Sequence, residues 1–149
     1  MSYDPSNLEK GIFNTPTSKV AGNFLNSTGG LLTQLTVVRI QANGSLGLVN
    51  VTNRDQVYSI FGILEENVAN GDTASVISKG RIRNITTALS IGDVVFLDKS
   101  SNLTSTTPDI GINGFVEDDF IVRIGIVVQN ESNPLNKDLI VDLQVLGRL

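Results

Sequence analysis

Turn signals cut this chain into short apolar runs, and their spacing limits the available folds more than any other feature. Asn43-Gly44, Asn70-Gly71 and Ile91-Gly92-Asp93 each separate stretches rich in Val, Ile, Leu and Thr, and no long helix is apparent. Asn-Gly suits a type I′ turn, whose two central residues both take positive φ. Residues 31–52 therefore read as a hairpin about Asn43-Gly44, with Leu46 and Leu48 on one face and Val49 and Val51 on the other.

One hairpin pattern occurs twice. IFGILEENVANGDTASVISKGRI runs from Ile60 to Ile82, and RIGIVVQNESNPLNKDLIVDLQVLGRL from Arg123 to Leu149. In each, an apolar stretch around a Gly-Ile pair ends in Asn. A turn follows, an Asp opens a second apolar strand, and a Gly closes it. The expectation is two pseudo-equivalent parts of one barrel. RIRNITT reads as a further short strand, VVFLDK as another, SSNLTSTTPDIG as a loop or edge, and DFIVRIGIVVQN as a long strand. In DLIVDLQVLGRL, the residues Leu139, Val141, Leu143 and Val145 share a face, which predicts a half-buried closing strand. The one helix candidate is TNRDQVYSI, capped by Thr52 or Asn53 with Asp55 in its first turn. Together these predict an all-β fold, a small antiparallel β-barrel or β-tulip-like sandwich spanning residues 31–149.

Residues 1–30 are different. They hold two prolines and four glycines and sustain no period of 2 or 3.6. Two readings stand: a disordered leader, or an extended N-terminal arm that orders on a partner through Ile12, Phe13, Phe24 and Leu25.

Composition narrows the chemistry. The 149 residues include no cysteine and no histidine, which removes disulfides, thiolate sites, the commonest metal ligand and the commonest general base. No catalytic or metal-binding residue and no cofactor is expected. The net charge of −4 speaks against a broad nucleic-acid footprint, and no apolar run reaches the length of a membrane span. The polar start MSYDPSNLEK lacks the apolar stretch of a signal peptide, so synthesis in a cytoplasm is expected.

Four local clusters remain. Glu117-Asp118-Asp119, with Asp109 nearby, lacks the spacing of a calcium loop and reads as a solvated turn. Glu65 and Glu66 are neighbours on a strand and face opposite ways, so they cannot flank one bond. Lys79, Arg81 and Arg83 form the one basic cluster and read as a contact with acidic groups on a protein partner. Gly71-Asp72 and Gly92-Asp93 read as turn chemistry.

The stretch IFGILEENVANGDTASVISKGRIRNITTALSIGDVVFLDKSSNLT resembles the capsid cement, or head decoration, proteins of tailed bacteriophages. The shared rhythm is Ile-x-Gly-Ile, then Asn-Gly-Asp leading to a strand that ends in Lys-Gly, then Gly-Asp-Val-Val opening another. Val122 to Ile126 and Leu139 to Leu143 match the returning strands. The resemblance covers about residues 31–149 and implies a protein on the exterior of the virion capsid, made in the bacterial cytoplasm. It further implies a homotrimer that binds the major capsid protein and stabilises the shell. A head-fibre or tail-fibre anchoring protein is the alternative.

Overall fold

Two copies of one four-stranded unit, joined edge to edge, account for most of the fold. In the computed structural model, which describes residues 19–149, the strands are β1 (Val20–Leu25), β2 (Val37–Ile40), β3 (Leu46–Gly47), β4 (Ile60–Leu64), β5 (Thr73–Ile85), β6 (Val94–Leu97), β7 (Leu103–Thr104), β8 (Phe120–Gln129) and β9 (Lys137–Arg148). A short helix, α1 (Arg54–Tyr58), lies between β3 and β4. All pairings are antiparallel. The sheet order is β3-β2-β4-β5-β9-β8-β6-β7, with β1 added on β5, and the sheet curls into a half-barrel. The all-β, barrel-like expectation is met. Read outward from the central β5–β9 pair, β4-β2-β3 and β8-β6-β7 are the same arrangement.

The correspondence holds residue by residue. Val38 pairs with Gly62 as Val95 pairs with Gly125. Ile63 pairs with Ile77 as Ile126 pairs with Ile140. Ile40 pairs with Leu46 as Leu97 pairs with Leu103. Both units slip register at the same point, after Val38 and after Val95. The entering turns also match. The Thr36 N–H donates to the Thr33 carbonyl, the Leu35 N–H donates to the Leu64 carbonyl, and the Leu64 N–H returns to Thr36. Asp93, Ser90, Gly92 and Val127 repeat those bonds. Leu35 (φ 70°) and Gly92 (φ 92°) fill the same left-handed position. Leu35 tolerates it because its side chain is buried in the main core.

The two units turn opposite faces inward. Val37, Ile63 and Ile77 of the first unit line the main core, whereas their counterparts Val94, Ile126 and Ile140 lie outside it and are partly exposed. Val95, Val127 and Leu139 line the main core instead. Their counterparts Val38, Leu64 and Val76 form a second, smaller core with Leu32, Leu46, Val68 and Ala74, against which Phe24, Ile40 and Phe61 pack. The first unit is thus buried on both faces and the second mainly on one.

Several expectations are corrected. Asn43-Gly44 does not make a type I′ turn, because only Gly44 (φ 84°) is left-handed. Gly44 N–H donates to the Gln41 carbonyl and Gln41 N–H to Ser45, which closes a three-residue loop with the glycine as its bulge. Leu48 does not share a buried face with Leu46: β3 ends at Gly47, and Leu48 is exposed. RIRNITT is not a separate strand, since β5 runs unbroken from Thr73 to Ile85 with Gly80 at φ 122°. In β9 the shared face is buried at Leu139 and Val141, half-buried at Leu143 and exposed at Val145. The sheet also begins inside the segment read as an arm, because β1 pairs along Thr73–Lys79 of β5. The helix forms as expected, with Asn53 as cap accepting from the Gln56 N–H.

Candidate partner-binding surfaces

The basic row on β5 is largely used inside the chain. Arg81 donates through Nε to Asp138 at 2.7 Å and through Nη2 to the Gln129 carbonyl at 3.0 Å. Arg83 pairs with Glu131. Lys79 is exposed and has no ion-pair partner among the described residues. Asp138 is fully buried and also accepts from the Asn84 N–H at 2.8 Å and Asn130 Nδ2 at 2.9 Å. Burial pushes its carboxyl up. The bonds from Asn130, Arg81 and Asn84, with the Arg81 charge, outweigh that and hold it below the ordinary aspartate range. This carboxylate joins β5 of one unit to the β8–β9 loop of the other.

Because the folded-state pKa lies below the unfolded one, Asp138 contributes stability that is present above the ordinary aspartate pKa of about 3.9. That contribution is lost as pH falls through the folded value. The expected result is a melting temperature that drops steeply below about pH 4 in the wild type and less steeply in Asp138→Asn, measured by calorimetry across pH.

The acidic cluster divides. Asp119 is buried rather than solvated, ion-paired to Lys99 at 2.8 Å and accepting from the Val116 N–H at 2.9 Å. Asp118 takes φ 71° and donates its N–H to the Leu149 carbonyl. Glu117 is exposed. Among the described residues, no group of three or more acidic side chains is placed to hold a metal ion. The structure uses the cluster to anchor a loop. Phe115 is 1% exposed and Lys99 stands 5.9 Å from its ring centre. Gly111 N–H bonds to the Phe115 carbonyl and Phe115 N–H to Ile112. On this fastened base, Ile110, Ile112 and Val116 are 57%, 44% and 53% exposed.

Glu65 is half-buried. The Lys19 hydrogen bond at 2.7 Å holds its carboxyl below the usual range, aided by the Lys19 charge and Ser75 and opposed by burial. Gly71 and Gly92 both sit at left-handed positions in turns closed from the following Asp N–H, to Ala69 and to Ser90.

Of the apolar residues read as partner contacts, Phe24 is turned inward against Phe61, ring centres 4.8 Å apart, and packs on the smaller core. Leu25 is 42% exposed. Ile12 and Phe13 lie outside the described residues. Sequence reasoning missed Asn26, which is fully buried and donates to the Gly30 and Val68 carbonyls, fixing the chain as it leaves β1. Asn26 heads an Asn-Ser-Thr triplet, and nothing in that triplet gives a sign of such a role.

A junction in the sheet supplies a further surface. Lys79 pairs with Val20 of β1 and with Asp142 of β9. Beyond it, β9 from Leu143 to Arg148 is paired to β8 alone among the described residues, with Val145 and Leu146 40% and 54% exposed. A groove lined by Leu35, Thr87, Leu89 and Leu103 has a volume of about 250 Å³, below the roughly 300–1,000 Å³ of ligand pockets. No protein-family model and no curated protein matches this chain.

Proposed function

We propose that this chain is a virion structural protein, a capsid cement or decoration protein that binds the major capsid protein on the outer surface of a phage head as a homotrimer. The observation that carries the reading is the anchored loop. Phe115 and Asp119 hold its base, and Ile110, Ile112 and Val116 stand in solvent. Apolar side chains presented together from a fixed base suit contact with another protein. The tail of β9, paired to β8 alone among the described residues, adds a main-chain surface for an extended segment. Three linked copies multiply modest contacts, since the second and third engage at high effective concentration. The turn rhythm shared with decoration proteins supports the same reading.

The test is quantitative mass spectrometry of purified particles, counting this protein against the shell protein. A count within a small factor of the shell protein supports a cement role. A few copies per particle favour a fibre-anchoring protein, and absence from the particle defeats both. The combined variant Ile110→Asp, Ile112→Asp and Val116→Asp should keep its melting temperature within a few degrees and lose particle binding by about tenfold or more. Unchanged occupancy would remove the loop from the interface.

A further inference from the structure

Three Asn-Gly steps occur in the chain, Asn43-Gly44, Asn70-Gly71 and Asn113-Gly114, and all three lie in exposed turns. At such a step the backbone nitrogen of the glycine can attack the side-chain amide before it, because no Cβ on the glycine blocks the approach. Two of the three are fastened at both reacting groups. Gly44 N–H donates to the Gln41 carbonyl at 2.9 Å, and Asn43 Oδ1 accepts from the Ser45 N–H at 3.0 Å and from Ser45 Oγ at 2.7 Å. Gly71 N–H donates to the Asn26 carbonyl at 2.7 Å, and Asn70 Oδ1 accepts from the Gly29 N–H at 2.8 Å. At the third step, neither the Asn113 side-chain amide nor the Gly114 N–H has a hydrogen-bond partner among the described residues.

The backbone at this step also supplies the motion that attack requires. Phe115 N–H donates to the Ile112 carbonyl at 3.0 Å, and the residues between them, Asn113 at φ 51° and Gly114 at φ 82°, are both left-handed, as in a type I′ turn. A type I′ turn has ψ of about +30° at its first central residue, which sets the next nitrogen opposite Cβ. Turning over the central peptide converts it to a type II′ turn, with ψ of about −120° at that residue. The Gly114 nitrogen then lies on the same side as Asn113 Cβ, where a five-membered ring can close. This peptide gives up no hydrogen bond among the described residues when it turns, and the closing bond from Phe115 to Ile112 is kept. The turn stays anchored throughout, because Phe115 is buried and its carbonyl accepts from the Gly111 N–H.

We infer that Asn113 is a site of self-modification, at which the Gly114 nitrogen converts the side-chain amide to aspartate and isoaspartate. The nitrogen bonds to Asn113 Cγ, the Cγ–Nδ2 bond breaks, and ammonia leaves with the proton that the nitrogen gives up. Solvent water then opens the succinimide ring at Cγ, giving aspartate, or at the main-chain carbonyl, giving isoaspartate. Either product puts a negative charge between Ile112 and Val116, two exposed apolar residues of the loop. For the test, folded full-length protein is held at mildly alkaline pH, sampled over time, digested at acidic pH and read by mass spectrometry at each Asn-Gly peptide. Asn113 should convert at least about tenfold faster than Asn43 or Asn70, whose hydrogen bonds must first open. Isoaspartate should accompany aspartate there, since direct hydrolysis of the amide gives aspartate alone. In denaturant, where the fold no longer protects the other two steps, the three rates should converge. Equal rates in the folded protein, faster conversion at Asn43 or Asn70, or aspartate without isoaspartate at Asn113 would each overturn the proposal.

Discussion

Gly125→Ala is expected to destabilise the protein by about 3 kcal/mol or more. A Cβ at Gly125 would collide with the Ile140 carbonyl oxygen, and one at Gly62 would collide with the Ile77 carbonyl oxygen. Both obstacles are backbone of a paired strand, which cannot swing aside as a flexible side chain would. Ile77 and Ile140 are themselves counterparts, so the close approach is a repeated property of the unit. Neither glycine needs a left-handed φ; the requirement is for space alone. In a chain of this size each kcal/mol lowers the melting temperature by roughly 2–4 °C, so each Ala variant should melt about 6–12 °C lower or fail to fold. Gly44→Ala, a position with open space and φ 84°, should cost only about 1 kcal/mol. A melt within about 2 °C of wild type for both Gly62→Ala and Gly125→Ala would contradict the close approach.

Asp138→Ala should be comparably damaging, at about 3–5 kcal/mol. It removes the partner of Arg81, whose side chain is only 15% exposed, and strands the Asn84 N–H and Asn130 Nδ2. The loss falls on the joint between the two units. Arg81→Met should cost less, because its aliphatic replacement fills the space and the remaining carboxylate keeps two donors. Chemical denaturation at pH 7 measures both, and equal costs below about 1 kcal/mol would show that the pair contributes little beyond a surface ion pair.

The fold class was legible because turn residues and β-branched runs act locally. The repeated hairpin was legible from Gly62-Ile63 and Gly125-Ile126, where the same steric demand selects the same residues. Its extension to β2–β3 and β6–β7 was hidden. Leu35 and Gly92 fill one position with different residues, and opposite faces of the two units meet the core, so burial does not repeat in step. β1 was missed because its pattern is set by one side chain, Phe24 on Phe61, and the pairing partner lies some fifty residues away in sequence. The basic row was legible as a row. Its role was not, because Asp138 meets Arg81 only after the two units join. Asp119 reads as one of three exposed acids until Lys99 and the Val116 N–H converge on it.

The inverted faces make evolutionary freedom unequal between the halves. In the first unit both the Val37–Ile63–Ile77 row and the Val38–Leu64–Val76 row are buried, so a polar replacement in either is penalised. In the second unit the Val94–Ile126–Ile140 row borders solvent, and drift toward polar residues there costs less. New recognition chemistry can therefore accumulate on the second half while the first is held nearly fixed as its scaffold.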